Sequence, residues 1–588
     1  MNVKRTAPLL LAAALLALQQ GCGGTRTGEE SAAYRRLAGE AVRLYTALHP
    51  LGASRLGLPG ADSLLFTFGP EEIRAAVERL ERLDDRLSAL SAAGLSPREI
   101  DWARVMINWT RGERFALEIL AIQRTNPLLF VWAAEEAFEE MPSRLEPVRP
   151  GEAAAYRKRV LATADLFSNA ALALRNPAEA HARFAAERLD GLDARLDRVA
   201  RLAESRYGAS FGGEFATARG AVLDFRGFAA QSLLAGARGR LILGSENLSR
   251  IFLFDELLDV DPNVLLAETE RKITRLAADR VATTRRMEFE KGGRRLDGGT
   301  ISEARTSAAG AAPRAGLFDF ASADAAETPG ALAARVIDSL WTPSRRASAF
   351  GAPLGPKPLL RFPAETRFAA PPPKNPHLSL PLLPVPPVVA GAIRIDPSAC
   401  RASILVSGGA SRVGPEALRY ALLAAAPRLL DADRLLCEAE DTVAAVFASE
   451  TWREGMRHLA LIDIADALRK EDPELYLRLI DDWTLRLARA IVVLRIHAGT
   501  LTTENAAGYF AETALIERHE AEREALVASI SPSVAWSGIS LILVERMLDR
   551  MAEPGGAGNP RREVRALLAQ SPGLPLPVIE RKIGRNKP

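Results

Sequence analysis

The chain has 588 residues, a formal net charge of +3, 48% hydrophobic residues and 25% charged residues. Lys and Arg are interspersed with Asp and Glu, which gives no basis for a nucleic-acid partner. Three cysteines (Cys22, Cys400, Cys437) and six scattered histidines exclude a disulfide framework, a cysteine zinc knuckle and a His-Glu-x-x-His helix.

The chain opens with MNVKRTAPLLLAAALLALQQGC. Lys4 and Arg5 precede an apolar run from Leu9 to Leu18, then small residues lead to Cys22, the three-part layout of a bacterial secretory signal. The run is too short to span a bilayer stably. Gly21-Cys22 reads as the end of a lipobox, although Gln19 stands where Leu is usual. We therefore expect a signal peptide over 1–21, lipidation of Cys22 and a flexible tether over 22–32. The alternative is an ordinary leader cut nearby, with Cys22 incidental. Either way the protein is expected to be exported to the cell envelope, periplasmic or surface, and with Cys22 lipidated it is held on the membrane by the lipid anchor. Cys400 and Cys437 could pair in an oxidising compartment or be two small buried residues.

Residues 33–588 read as one unit. Its first part, 33–290, is a succession of amphipathic helices. GPEEIRAAVERLERLDDRLSAL begins with Pro70, Glu71 and Glu72, as a helix N-terminus prefers. Ile73, Val77, Leu80, Leu83, Leu87 and Leu90 then form one stripe. Leu189, Leu192, Leu196, Val199 and Leu202 repeat the pattern. Residues 291–390 combine a Gly/Ser/Ala-rich loop with a dense proline run, where regular helix is excluded and strands are confined to edges. Residues 391–588 begin with the best candidate for a strand pair, in AGAIRIDPSACRASILVSGG (390–409), and continue as helices. The fold class is mainly α with a few short strands and a proline-rich crossover.

Six stretches, in order, resemble the bacterial domain of unknown function 885 family. They are ALHPLGASRLGLPGADSLLFTFGPEEI, RTNPLLFV, LGSENLSRIFLFDELLDVDPNVLLAETE, WREGMRHLAL, LARAIVVLRIHAGTLTTENAAGYFAE and SPGLPLPVIERKI. The resemblance implies a large, helical, zinc-peptidase-like fold. Active members carry His-Glu-x-x-Pro-Gly-His and, about one helix pair later, the Glu of Glu-Gly-Trp. Two imidazoles and a carboxylate hold zinc and leave one position for water, and the Glu beside the first His takes the water's proton.

Placing Pro427 on the motif's proline puts Leu423 and Leu429 at the two histidines, Ala424 at the general base and Arg428 at the Gly. Glu454 remains as the third ligand. Other implied site positions fall on Val493, Val527, Ala528, Val534 and Gly538, all apolar or small. Arg489, His497 and Pro532 keep the pattern. The resemblance thus implies lost zinc chemistry, with no cofactor and a role in binding a peptide or another envelope protein. The alternative is an active metal-dependent hydrolase using zinc at Glu454, His458 and His497. Glu454 and His458 lie four apart on one helix face, where a plain polar pair is the competing explanation. A third reading is a structural envelope lipoprotein with no ligand.

Overall fold

The computed structural model describes residues 7–144, 147–239, 242–290, 441–552 and 559–583, three strands between 359 and 406, and a few positions from 432 to 439; side chains are described from residue 28, those of the strands and of residues 290 and 467 excepted. Helices of eight residues or more are numbered here. They are α1 (Ala7–Leu48), α2 (Pro70–Ser88), α3 (Pro97–Arg114), α4 (Pro127–Glu139), α5 (Glu152–Ala173), α6 (Glu179–Tyr207), α7 (Gly212–Phe228), α8 (Ser245–Glu256) and α9 (Pro262–Glu290). After the strands come α10 (Glu450–Glu471), α11 (Pro473–His497), α12 (Thr503–Thr513), α13 (Arg518–Ile530), α14 (Trp536–Met551), α15 (Pro560–Gln570) and α16 (Leu576–Ile583). The protein is mainly α.

Local chemistry explains many helix starts. α2 has Pro at its first position and Glu71 and Glu72 in its first turn, and it buries Ala76, Leu80, Leu83 and Leu87. α3 opens with a capping box, in which Ser96 accepts from the Glu99 amide and Glu99 reaches back to the Ser96 amide. α6 buries Leu189, Leu192, Leu196 and Val199 as the spacing predicts. Leu202 departs from that expectation and is 43% exposed. The inner line of the helix passes to Ala203, four residues after Val199, instead of three.

α1 runs unbroken through residues 22–32, so the backbone there is helical where a flexible tether was expected. Glycines weaken a helix without forbidding it, at about 1 kcal/mol each. The strand pair over 390–409 is present. β2 (Val389–Asp396) and β3 (Ala399–Val406) are antiparallel. β1 (Leu359–Arg361) joins β3 in parallel, giving the order β1-β3-β2. β1 lies inside the proline run and is an edge strand of this sheet.

Buried side chains from Tyr34 to Leu276 and from Ala432 to Ile583 belong to one hydrophobic core. Two close approaches set the C-terminal helices. A Cβ on Gly538 would lie 2.4 Å from the Arg486 carbonyl oxygen, so α14 rests directly on the α11 backbone. A Cβ on Gly455 would lie 2.9 Å from Leu576 Cδ1, so α16 begins against α10.

Gly538→Ala should therefore force α14 away from α11. We expect a loss of about 1–3 kcal/mol, as for other overpacked sites, read as a lower urea midpoint. An unchanged midpoint would show that the two helices do not need this approach.

Candidate functional site

Glu454 sits on α10, and the N-terminus of that helix is tightly anchored. Ser449 caps it by accepting from the Trp452 amide at 3.0 Å. The Glu256 carboxylate, at the end of α8, accepts from the Glu450 amide at 2.9 Å, from Thr451 Oγ1 at 2.6 Å and from the Ser449 hydroxyl. An anion at a helix N-terminus satisfies amides that have no partner within the helix and complements the helix dipole. The closing turn of the chain completes the anchor. The Ser449 amide donates to Gly573 O at 2.9 Å, and the Leu576 amide donates to Thr451 Oγ1 at 3.2 Å. The segments WREGMRHLAL and SPGLPLPVIERKI also meet in space, where Gly455 packs on Leu576.

The Glu454 carboxylate is bound by two arginines. Its Oε2 accepts from Arg457 Nη1 at 3.2 Å and from Arg486 Nη1 at 3.0 Å. Arg457 Nη2 donates to Asp482 Oδ2 at 2.8 Å, and Arg486 Nε donates to both Asp482 oxygens at 2.9 and 3.0 Å. Glu454, Arg457, Asp482 and Arg486 therefore close a ring of two anions and two cations between α10 and α11. Glu454, Arg457 and Asp482 are buried. Opposite charges held this way avoid the large penalty of a lone charge in the core. Of these four residues, the sequence points to Glu454 alone. The i, i+3 spacing of Glu454–Arg457 and the i, i+4 spacing of Asp482–Arg486 were the signals available for the rest.

His458 lies one turn on and is fully buried. Its Nε2 donates to Ser537 O at 2.7 Å, and because a carbonyl only accepts, Nε2 carries the proton. The same nitrogen is 4.0 Å from Glu454 Oε2. Burial pushes the His458 pKa down to about 3, against the pull of Glu454 and with help from Arg486 and Arg457.

His497 does not join Glu454 and His458. It ends α11, eleven residues past Arg486, which is about 16 Å along a helix. Its carbonyl accepts from the Gly244 amide at 3.0 Å. Its ring acts on His181, whose pKa is driven down to about 4 by burial and then by His497. Among the described residues no three His, Cys, Asp or Glu side chains are placed to hold a metal ion. The alternative zinc set of Glu454, His458 and His497 is therefore not assembled, because helix length separates its members.

Arg489 pairs in two places with Glu524 of α13, at 2.7 and 2.6 Å. Burial alone would lower the Arg489 pKa, but the carboxylate outweighs it and raises it. Glu524 is lowered in turn, with Arg489 overcoming the effect of burial. Val493 of α11, Ala528 of α13 and Val534 are buried, and Val527 packs partly buried against the same core. Gly538 serves the helix contact described above. Leu423, Ala424, Leu429 and Cys437 lie outside the described residues, as do the side chains of Cys22 and Cys400.

No protein-family model and no curated protein matches the chain. Two solved structures share its fold. One, described as a candidate lipoprotein of unknown function from Shewanella oneidensis, has a TM-score of 0.67 at 13% identity, covering 94% of this chain and 99% of that one. The other, described as a candidate lipoprotein from Colwellia psychrerythraea, has a TM-score of 0.72 at 13% identity, with the same coverage of 94% and 99%.

Two outcomes follow from the ring and its neighbour. Glu454→Ala leaves Arg457 and Arg486 sharing Asp482 in the core, and we expect a loss of about 3–5 kcal/mol in urea unfolding; a change within error would mean the ring adds nothing. For His458, the unfolded ring binds a proton below its ordinary pKa of about 6.5, whereas the folded ring resists until about pH 3. Its contribution is thus whole above about pH 6.5 and is lost as pH falls through that window. His458→Gln keeps a donor for Ser537 O, and its urea midpoint should fall less than that of the parent chain between pH 7.5 and pH 4.5. Equal falls would remove His458 as a source of acid sensitivity.

Proposed function

We propose that the protein is an exported, lipid-anchored cell-envelope protein that acts by binding and has no zinc-peptidase activity. Its leader is 1–21, Cys22 carries the lipid, and 33–588 form the working unit. The zinc positions of the resembled family fall on Leu423 and Leu429, which offer no ligand atom, and the general-base position falls on Ala424. The observation that carries the reading is the state of Glu454. This carboxylate, the one family ligand retained, is bound by Arg457 and Arg486 in a buried, charge-balanced ring. A guanidinium neutralises a carboxylate but cannot polarise a bound water as a Lewis acid does. The envelope location is supported by the signal-like N-terminus and by the lipoprotein descriptions of two proteins that share the fold. The partner is a peptide or another envelope protein.

Metal content measured by mass spectrometry tests this. After dialysis against trace zinc, the purified chain should hold less than about one-tenth of a metal ion per molecule, since metal affinity requires assembled ligands. About one zinc per chain, lost in Glu454→Ala, would overturn the reading and mean a rebuilt metal site, for which peptidase assays decide hydrolysis.

A further inference from the structure

Several chain turns meet beyond the far end of α3. A π-helical turn, Phe115–Ile119, continues that helix and leads into residues 122–125. The Arg175 amide, just past α5, donates to the Arg124 carbonyl at 2.7 Å. The Arg238 amide donates to Asn176 Oδ1 at 2.8 Å, and the Gly239 amide to Pro177 O at 2.9 Å. Residues 242–244 then rest on the end of α11. Gly244 donates to His497 O at 3.0 Å, and a Cβ on Gly499 would lie 3.9 Å from Ile242 Cδ1. Turns far apart in the chain thus form one surface.

That surface is apolar and positively charged together. Ile119 is 63% exposed, Leu172 is 68% exposed and Ile242 is 48% exposed. Single exposed apolar residues are ordinary, but several at one junction mark a contact surface. Arg124, Arg175 and Arg238 are exposed beside them. Among the described residues none of the three pairs with a carboxylate; Arg175 and Arg238 donate to the carbonyls of Leu174 and Ala237. The acids of the same turns are already matched, Glu118 by Arg114, Glu179 by Arg183 and Glu246 by Arg250.

The place of the anchor selects the kind of partner. Cys22 lies nine residues before Ser31, whose hydroxyl donates to Glu99 Oε1 at 2.6 Å in the first turn of α3. Ile119 is twenty residues beyond Glu99, about 30 Å along a helix axis. A lipid on Cys22 therefore holds one end of α3, and the exposed surface stands at the other end, away from that membrane.

We infer that this surface docks an amphipathic acidic segment of another protein. The apolar side chains of the segment cover Ile119, Leu172 and Ile242, and its carboxylates meet Arg124, Arg175 and Arg238. Guanidinium groups without a carboxylate of their own supply the choice of an acidic partner, and the apolar residues supply area to bury. This names the partner class for the binding role proposed above and rests on that role and on the anchor. The two fail separately, since a zinc-loaded chain would sink the role, whereas the outcomes below concern this surface alone.

The experiment is fluorescence anisotropy of the full chain with a labelled helical peptide of about sixteen residues, with Leu along one face and Glu on its flanks. Saturable binding is expected. It should weaken at least about tenfold for the peptide with Gln in place of Glu, for the Arg124→Gln/Arg175→Gln/Arg238→Gln chain and for the Ile119→Ser/Leu172→Ser/Ile242→Ser chain. All six side chains are exposed, so both variants should keep the parent circular dichroism. If either does not fold, the Gln peptide on the parent chain decides the matter. No saturable binding to the parent chain overturns the inference, as does equal binding of the Gln peptide or equal binding by a folded variant. Cosedimentation with phosphatidylglycerol vesicles that the arginine variant loses, without peptide binding, overturns it in favour of a lipid surface. A concentration-dependent dimer lost in the serine variant overturns it in favour of a second copy of the chain.

Discussion

Arg486 holds two carboxylates inside the core, and its own carbonyl sets how near α14 can come to α11. The two demands are of different kinds. The side chain must pair Glu454 and Asp482, because an unpaired charge is intolerable in a medium of low polarity. The backbone must meet a residue with no Cβ, and Gly538 is that residue. Together they lock α10, α11 and α14 into one arrangement. The Glu256 carboxylate then fixes where α10 begins, so the position of Glu454 is set from both ends.

This arrangement changes what a retained carboxylate means. In a catalytic zinc site a carboxylate helps hold a metal that keeps one position open for water. Here the counter-charges are side chains built into the neighbouring helix turns. His458 is equally committed, with its protonated nitrogen on a backbone carbonyl and its pKa well below the physiological range. A neutral, buried His458 is not poised to move a proton near neutral pH. Val493, Ala528 and Val534 are buried and need no polar partner of their own.

Much of the fold was legible because it rests on local rules. The stripe of α2, its proline and acidic start, the Leu189–Val199 stripe of α6 and the strand pair around Pro397 follow from periods of 3.6 and 2 and from turn chemistry. Leu202 was misread because a stripe at three- and four-residue steps does not say which step comes next. The site was half legible. Glu454 and Arg489 could be picked out by resemblance, but Arg457, Asp482 and Arg486 look like ordinary solvated charges on amphipathic helices. The grouping of His497 with Glu454 failed because the number of residues between two positions says little about distance once the chain turns back, whereas a helix fixes that distance along its axis.

The sequence by itself determined the helical class, the apolar run that precedes Cys22, and the helix stripes. These are matters of residue type and short-range spacing. Only the tertiary structure decided which carboxylate meets which guanidinium, and that Gly538 and Gly455 are contact points between helices. It also brought His497 within electrostatic reach of His181. Such facts depend on how elements distant in the chain are brought together by burial of a common core, and no local period encodes that.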